Sequence, residues 1–249
     1  MRRVAMLAIV GSVLLVAFAG VAWAANVTCQ GGPCVGTEQN DRITGSQLED
    51  EIQALGGRDL VSARGGDDLV DGGRGGDDIS GGIGGDALLG GRGPDDIYGG
   101  AGTPVGDPKF DFECTTTDPS TGTVVARIQG NQILFGSGGN DDLNGGIDND
   151  LLEGDTGKND LSGNGGDDCL SLSGDANERA SGRGGDDLIG SDDGNRDYDF
   201  CGAGYDTVFA DEKDRVAANC EVVIRASSLQ KTRATPGLGV TITAPEASG

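Results

Sequence analysis

A nine-residue period constrains this chain more than any other property. From Gly72 to Gly102 it reads GGRGGDDIS, GGIGGDALL, GGRGPDDIY, GGAG: two leading glycines, a glycine in fourth place, aspartate sixth and an aliphatic residue eighth. Counted in nines, the sixth position is Asp41, Asp50, Asp59, Asp68, Asp77, Asp86 and Asp95, and the eighth is Ile43, Ile52, Val61, Val70, Ile79, Leu88 and Ile97. The early units lose glycines, with Leu48 in fourth place and Leu55 and Arg64 in second. A second run places Asp141, Asp150, Asn159, Asp168, Asn177 and Asp186 sixth and Leu143, Leu152, Leu161, Leu170, Arg179 and Leu188 eighth. The unit holding Asn177 and Arg179 is degenerate. Gly130, Gln132 and Leu134 fit a unit whose aspartate has become glutamine, and Gly202, Gly204, Asp206 and Val208 fit a final one.

Such a unit is built to turn, because glycine enters φ > 0 conformations that other residues resist. Its last three residues read as a short strand whose middle side chain faces one side. Two units reverse the chain twice and complete a coil, and coils stack at the strand spacing of about 4.8 Å. The expected fold is all-β: a parallel β-roll, or β-solenoid, of glycine-rich nonapeptide repeats. It also answers a composition of 48 glycines in 249 residues with 4% aromatics, too entropic for an ordinary core but workable where each coil buries a small apolar row against its neighbours. Stacking sets Asp41, Asp59, Asp77 and Asp95 in one column and Asp50, Asp68 and Asp86 in the other. Carboxylates about 4 Å apart repel by roughly 1 kcal/mol even in water, so a column of them calls for a cation. Zinc and copper favour His or Cys ligands, and the chain has no His. Calcium takes six to eight oxygens in flexible geometry, whereas magnesium prefers a stiffer octahedron.

The pattern G-G-x-G-x-D-x-U-x, U being a large apolar residue, resembles the RTX (haemolysin-type) calcium-binding repeat, over roughly residues 36–102 and 130–210. In that family the ion lies between successive loops of one column, on Asp side chains and loop carbonyls. Carried over by position, the resemblance implies calcium ligands at Asp59, Asp68, Asp77, Asp86 and Asp95, then Asp150, Asp168 and Asp186, with Asp41, Asp50 and Asp141 completing the set. Asn159 and Asn177 offer an oxygen without charge, so weaker sites are expected there. Many RTX proteins leave the cell on an uncleaved C-terminal signal. Here Arg2 and Arg3, the apolar stretch Val4 to Val21 and Ala22-Trp23-Ala24 read instead as a cleaved N-terminal leader.

The expected organisation is a leader (1–24), a disulfide cap (25–35), a first repeat block (36–102), an inserted loop or hairpin (103–129), a second block (130–210), a C-terminal cap (211–226) and a flexible tail (227–249). Secretion suits the six cysteines. Fifteen pairings are open. Proximity favours Cys29 with Cys34 and Cys201 with Cys220, leaving Cys114 and Cys169 to each other. The net charge of −23 repels nucleic acid and anionic lipid and favours cations or basic partners. Without His there is no H-E-x-x-H and no Ser-His-Asp or Cys-His site, and G-x-S-x-G is absent. A carboxylate-only hydrolase stays formally open, but repetition argues against a unique site. No long apolar segment for a membrane span follows the leader. Two readings remain: a secreted calcium-binding module that folds with its ion, and a disulfide-stabilised structural or adhesive extracellular solenoid whose aspartates form turns. No protein or polysaccharide partner is assigned.

Overall fold

A computed structural model describes residues 24–102, 111–117, 124–130, 132–174, 176–225 and 239–243. In an extended strand successive side chains point to opposite faces, and the repeat exploits this once per unit. Along Asp78–Ile83, Asp78 is exposed, Ile79 buried, Ser80 half-buried and Gly81 buried. The strand thus runs six residues, through the next Gly-Gly-x, rather than the three of the x-U-x core. A glycine can return into the interior at the next first position because it brings nothing to place there: a Cβ on Gly72 would lie 3.0 Å from Ile79 Cδ1.

From Leu55 on, the second position of most units then turns in the left-handed region. Glycine does this freely, as at Gly73 (φ 93°), but Leu55 (φ 79°), Arg64 (φ 83°), Ser137 (φ 74°), Asp155 (φ 57°), Asn164 (φ 80°) and Arg183 (φ 78°) do it too, at a cost of about 1–2 kcal/mol each. The early units therefore keep the turn after losing its glycine.

The strands form two ten-stranded parallel sheets, filled alternately as the chain winds. The first sheet includes Leu60–Gly65, Asp78–Ile83, Asp96–Ala101, Asp142–Ile147 and Asp160–Gly165, and the second Leu69–Arg74, Ala87–Arg92, Gln132–Gly138 and Asp150–Glu153. Between them lies a single file of eighth-position side chains from both sheets, among them Ile43, Ile52, Val61, Val70, Ile79, Leu88, Ile97, Leu134, Leu143, Leu152, Leu161 and Leu170. Full burial of each such side chain stabilises by about 1.5–3 kcal/mol, which is how a glycine-rich chain assembles a core that is almost wholly aliphatic, Phe209 being a buried aromatic near its end.

The solenoid closes over the inserted segment without losing register. Gln132–Gly138 pairs with Ala87–Arg92, and Asp142–Ile147 with Asp96–Ala101. The insertion forms an antiparallel hairpin, Asp111–Thr117 with Val124–Gly130. The tail, expected to be flexible, contributes a third strand: Gly239–Thr243 pairs antiparallel with Asp111–Thr117. The hairpin lies over the second sheet because seventh-position residues there are apolar. Ile133, Leu151, Cys169 and Leu188 cluster with Cys114, whereas the first sheet carries Asp78, Asp96, Asp142 and Asp160 at that position.

Disulfides join Cys29 to Cys34, Cys114 to Cys169 and Cys201 to Cys220, a set suited to an oxidising compartment. Among the described residues no helix is long and apolar enough to cross a membrane. The leader expected at 1–24 lies, but for Ala24, outside the described residues.

One expectation about register is corrected. Coils of eighteen residues become coils of nineteen at Asp160↔Arg179 and Cys169↔Leu188. The unit after Asp168 has ten residues, so Ala180 and Ile189, not Arg179 and Leu188, enter the core, both fully buried. Because strand side chains alternate, a shift of one residue exchanges inside for outside. It places Arg179 on the exposed face, over the Phe200 ring at 4.9 Å.

Candidate metal centre

The loops between strands stack into two columns, and a hydrogen-bond ladder runs down each. Asp41 N donates to Asp59 Oδ1 (2.6 Å), Asp59 N to Asp77 Oδ1 (2.8 Å), Asp77 N to Asp95 Oδ1 (2.7 Å) and Asp95 N to Asp141 Oδ1 (2.9 Å). On the other edge Asp50 N donates to Asp68 Oδ1 (2.7 Å), Asp68 N to Asp86 Oδ1 (3.0 Å) and Asp150 N to Asp168 Oδ1 (2.9 Å). The sixth-position aspartate thus clips its own coil to the preceding one.

That bond uses one carboxylate oxygen. The other, Oδ2, is buried without a hydrogen-bond partner at Asp59, Asp77, Asp95, Asp141, Asp168, Asp187, Asp197 and Asp206, and at Asp150 neither oxygen has one. At Asp77, Asp95, Asp141, Asp150, Asp168 and Asp187, Oδ2 faces the space left by the missing side chain of its unit's first glycine. A Cβ on Gly72 would lie 2.8 Å from Asp77 Oδ2 and 2.6 Å from the Gly90 carbonyl oxygen of the next coil. At Gly136 the corresponding distances are 2.5 Å to Asp141 Oδ2 and 2.9 Å to the Gly154 carbonyl. A carboxylate oxygen and a carbonyl oxygen from adjacent coils converge there with no proton between them. This all-oxygen donor set fits a hard cation such as calcium and does not suit zinc or copper.

Electrostatics agree. Burial, and then the neighbouring column carboxylates, push Asp77 up to about 6 and Asp95 to about 7, against the opposing pull of the ladder bond. Burial alone leads at Asp150, raised to about 8, and burial with Asp150 and Asp187 raises Asp168 to about 10. Metal-free, these groups resist ionisation.

Of the residues singled out in the sequence, Asp41, Asp50, Asp59, Asp68, Asp77, Asp86, Asp95, Asp141, Asp150 and Asp168 are buried in the columns. Asp41 and Asp50 differ from the rest. Their Oδ2 atoms accept bonds from Thr37 N (2.5 Å) and Ser46 N (2.7 Å) in their own loops. Asp186 is exposed and lies outside the column. The ten-residue unit advances the frame, and Asp187 takes the place, its Oδ1 accepting from Asp168 N at 2.9 Å.

The same shift puts Glu178, not Asn177, in the opposite column, followed by Asp197 and Asp214. Asp206 continues the column of Asp187. Counting in nines misses Glu178, Asp187, Asp197 and Asp214. The signal was present in Arg179 itself, a charge assigned to a core position beside an alanine that fits it.

Two positions break the pattern chemically. Gln132 replaces aspartate where the insertion returns, and its Nε2 donates to the Gly84 carbonyl (3.2 Å). Asn159 keeps the ladder, its Oδ1 accepting from Asp141 N (3.0 Å), but turns an amide toward the cradle. Asn159 Nδ2 donates to Glu178 Oε1 (2.7 Å) and to the Asp155 carbonyl (3.3 Å), while Glu178 Oε2 accepts from Gly174 N (2.9 Å). An N–H sits where the other loops present an oxygen, so this joint is closed without an ion.

A search of curated proteins finds no match. The family model of the RTX calcium-binding nonapeptide repeat matches in four copies, at residues 44–79, 80–103, 135–170 and 145–178. These segments contain most of the ladder just described. Residues 44–103 and 135–178 thus carry RTX calcium-binding nonapeptide repeats, wound into a parallel β-roll.

Proposed function

We propose that the two columns bind calcium ions between successive loops and that the chain folds as it binds them. Each ion would take the second carboxylate oxygen of a sixth-position aspartate and the first-position carbonyl of the next coil. The best ligands are Asp59, Asp77, Asp95 and Asp141 on one edge and Asp68, Asp86, Asp150, Asp168, Asp187 and Asp206 on the other. The observation that carries this reading is the row of buried, partnerless Oδ2 atoms at Asp77, Asp95, Asp141, Asp150, Asp168 and Asp187, each beside a first-position glycine, with a carbonyl of the next coil facing the gap at Gly72 and Gly136. A buried charge without a counter-charge is costly, and a divalent ion neutralises two at once. Self-repulsion in a chain of net charge −23 keeps the metal-free state expanded, and calcium stabilises the folded state by mass action. The leader read at 1–24 and the three disulfides support a transition that takes place outside the cell.

The second reading, a solenoid held by disulfides and packing, is favoured by the ladder, which shows that aspartate also has a role without metal. Far-UV circular dichroism of the mature, disulfide-intact chain separates the two. A cooperative gain of β signal with calcium, reversed by chelator and not reproduced by magnesium, is expected. A spectrum already β-rich in chelator and unchanged by calcium leaves the structural reading standing.

A further inference from the structure

One unit departs from the repeat at two positions that touch each other. Ser191 stands first, where glycine is usual, and Asp199 stands eighth, where the strand partners are Ala180 and Val216. Both are fully buried. Ser191 Oγ lies 3.0 Å from Asp199 Oδ2, 3.0 Å from the Phe209 carbonyl oxygen and 3.5 Å from Asp214 Oδ2. Three acceptors surround a hydroxyl that has one proton, and of them Asp214 Oδ2 also accepts from Asp211 N at 2.6 Å. Asp199 Oδ1 has no partner at all. The nearest cation of influence, Arg225, donates to the Asp211 carbonyl instead.

A carboxylate in the file of aliphatic side chains costs several kcal/mol unless its charge is matched. Burial accordingly raises Asp199 to about 7, the Ser191 bond opposing and Asp214 reinforcing the rise.

We propose that Ser191, Asp199, Asp214 and the Phe209 carbonyl form an additional site for one hard divalent cation of the calcium type, inside the C-terminal end of the roll. It differs from the nonapeptide cradles in adding a first-position hydroxyl and an eighth-position carboxylate to Asp214, the last carboxylate of its column. Its donors are two carboxylates, a hydroxyl and a carbonyl, all oxygen, as calcium requires. The Cys201–Cys220 disulfide closes the coil beside it. The inference shares with the proposed function the choice of ion and, through Asp214, the end of one column.

The test is native mass spectrometry of the disulfide-intact chain at saturating calcium, comparing the wild type with Asp199→Asn, Asp199→Val and, as a column control, Asp77→Asn. Asp199→Val restores an aliphatic residue of the kind found at Val208, so folding is not at stake. Both Asp199 variants are expected to hold one ion fewer than the wild type. An unchanged count in both, with Asp77→Asn lowered, overturns this site and leaves the columns intact, the carboxylate then being held by a proton. No calcium on the wild type overturns both readings.

Discussion

At the scale of the residue, the sixth-position aspartate has two separable roles. Oδ1 accepts the backbone N–H of the coil before it, and Oδ2 presents an unmatched charge to the cradle. Asparagine reproduces the first role and reverses the second, as Asn159 shows by donating to a carbonyl of its own loop. Asp77→Asn should therefore unfold in chelator at a temperature no lower than the wild type, because the ladder survives and a buried charge is gone. Asp77→Ala leaves Asp59 N without its acceptor and should be less stable by about 1–3 kcal/mol. In calcium both variants should fall below the wild type. Thermal unfolding under the two conditions checks this, and equal midpoints for the two variants in chelator would show that the ladder carries no weight.

At the scale of the element, the unit is a strand plus a turn, and its length matters more than its composition. The period was legible because Asp and an aliphatic residue recur two apart, and it located the two sheets, the core file and the column place of every singled-out aspartate except Asp186. It failed at Asp186 because Asp186-Asp187 and Leu188-Ile189 each offer two registers with the same spacing, and the strand pairing takes the one that Arg179 beside Ala180 already favours. Arg183 settles the frame, since its φ of 78° marks the second position of a unit. The tail strand was invisible for another reason. Gly239–Thr243 is ordered by a partner, Asp111–Thr117, far away in sequence. The Asn159–Glu178 joint gives this scale its own prediction. Asn159→Asp replaces a donor with a second carboxylate facing Glu178. In chelator it should lose about 1–3 kcal/mol of stability, and in calcium it should gain one ion, as read by calorimetry and native mass spectrometry. A variant as stable as the wild type in chelator would show that the amide bridge is not a joint.

At the scale of the whole molecule, the sum of raised carboxylates sets how the metal-free protein responds to acid. Asp77 and Asp141 lie at about 6, Asp95, Asp187 and Asp197 at about 7 and Asp150 at about 8, against about 3.9 in an unfolded chain. Between those limits the folded state binds more protons than the unfolded one, so stability falls as pH rises from about 4 to about 8. Metal-stripped protein should melt higher at pH 5 than at pH 8. Calcium-saturated protein should show the opposite order, because protons compete for the same oxygens. Parallel dependences with and without calcium would separate the columns from metal binding. The two ends of the roll matter for a different reason. A stack of parallel strands exposes an unpaired edge above and below, the geometry on which further chains template cross-β growth. Here the first strands are the three residues Asn26–Thr28 and the proline-bearing Gly32–Val35, tied by Cys29–Cys34. The last include the two-residue Arg215–Val216, held near the Cys201–Cys220 bond. Short, kinked and cross-linked termini make poor templates, so the disulfides that close the coils also keep one roll from seeding another into a fibre.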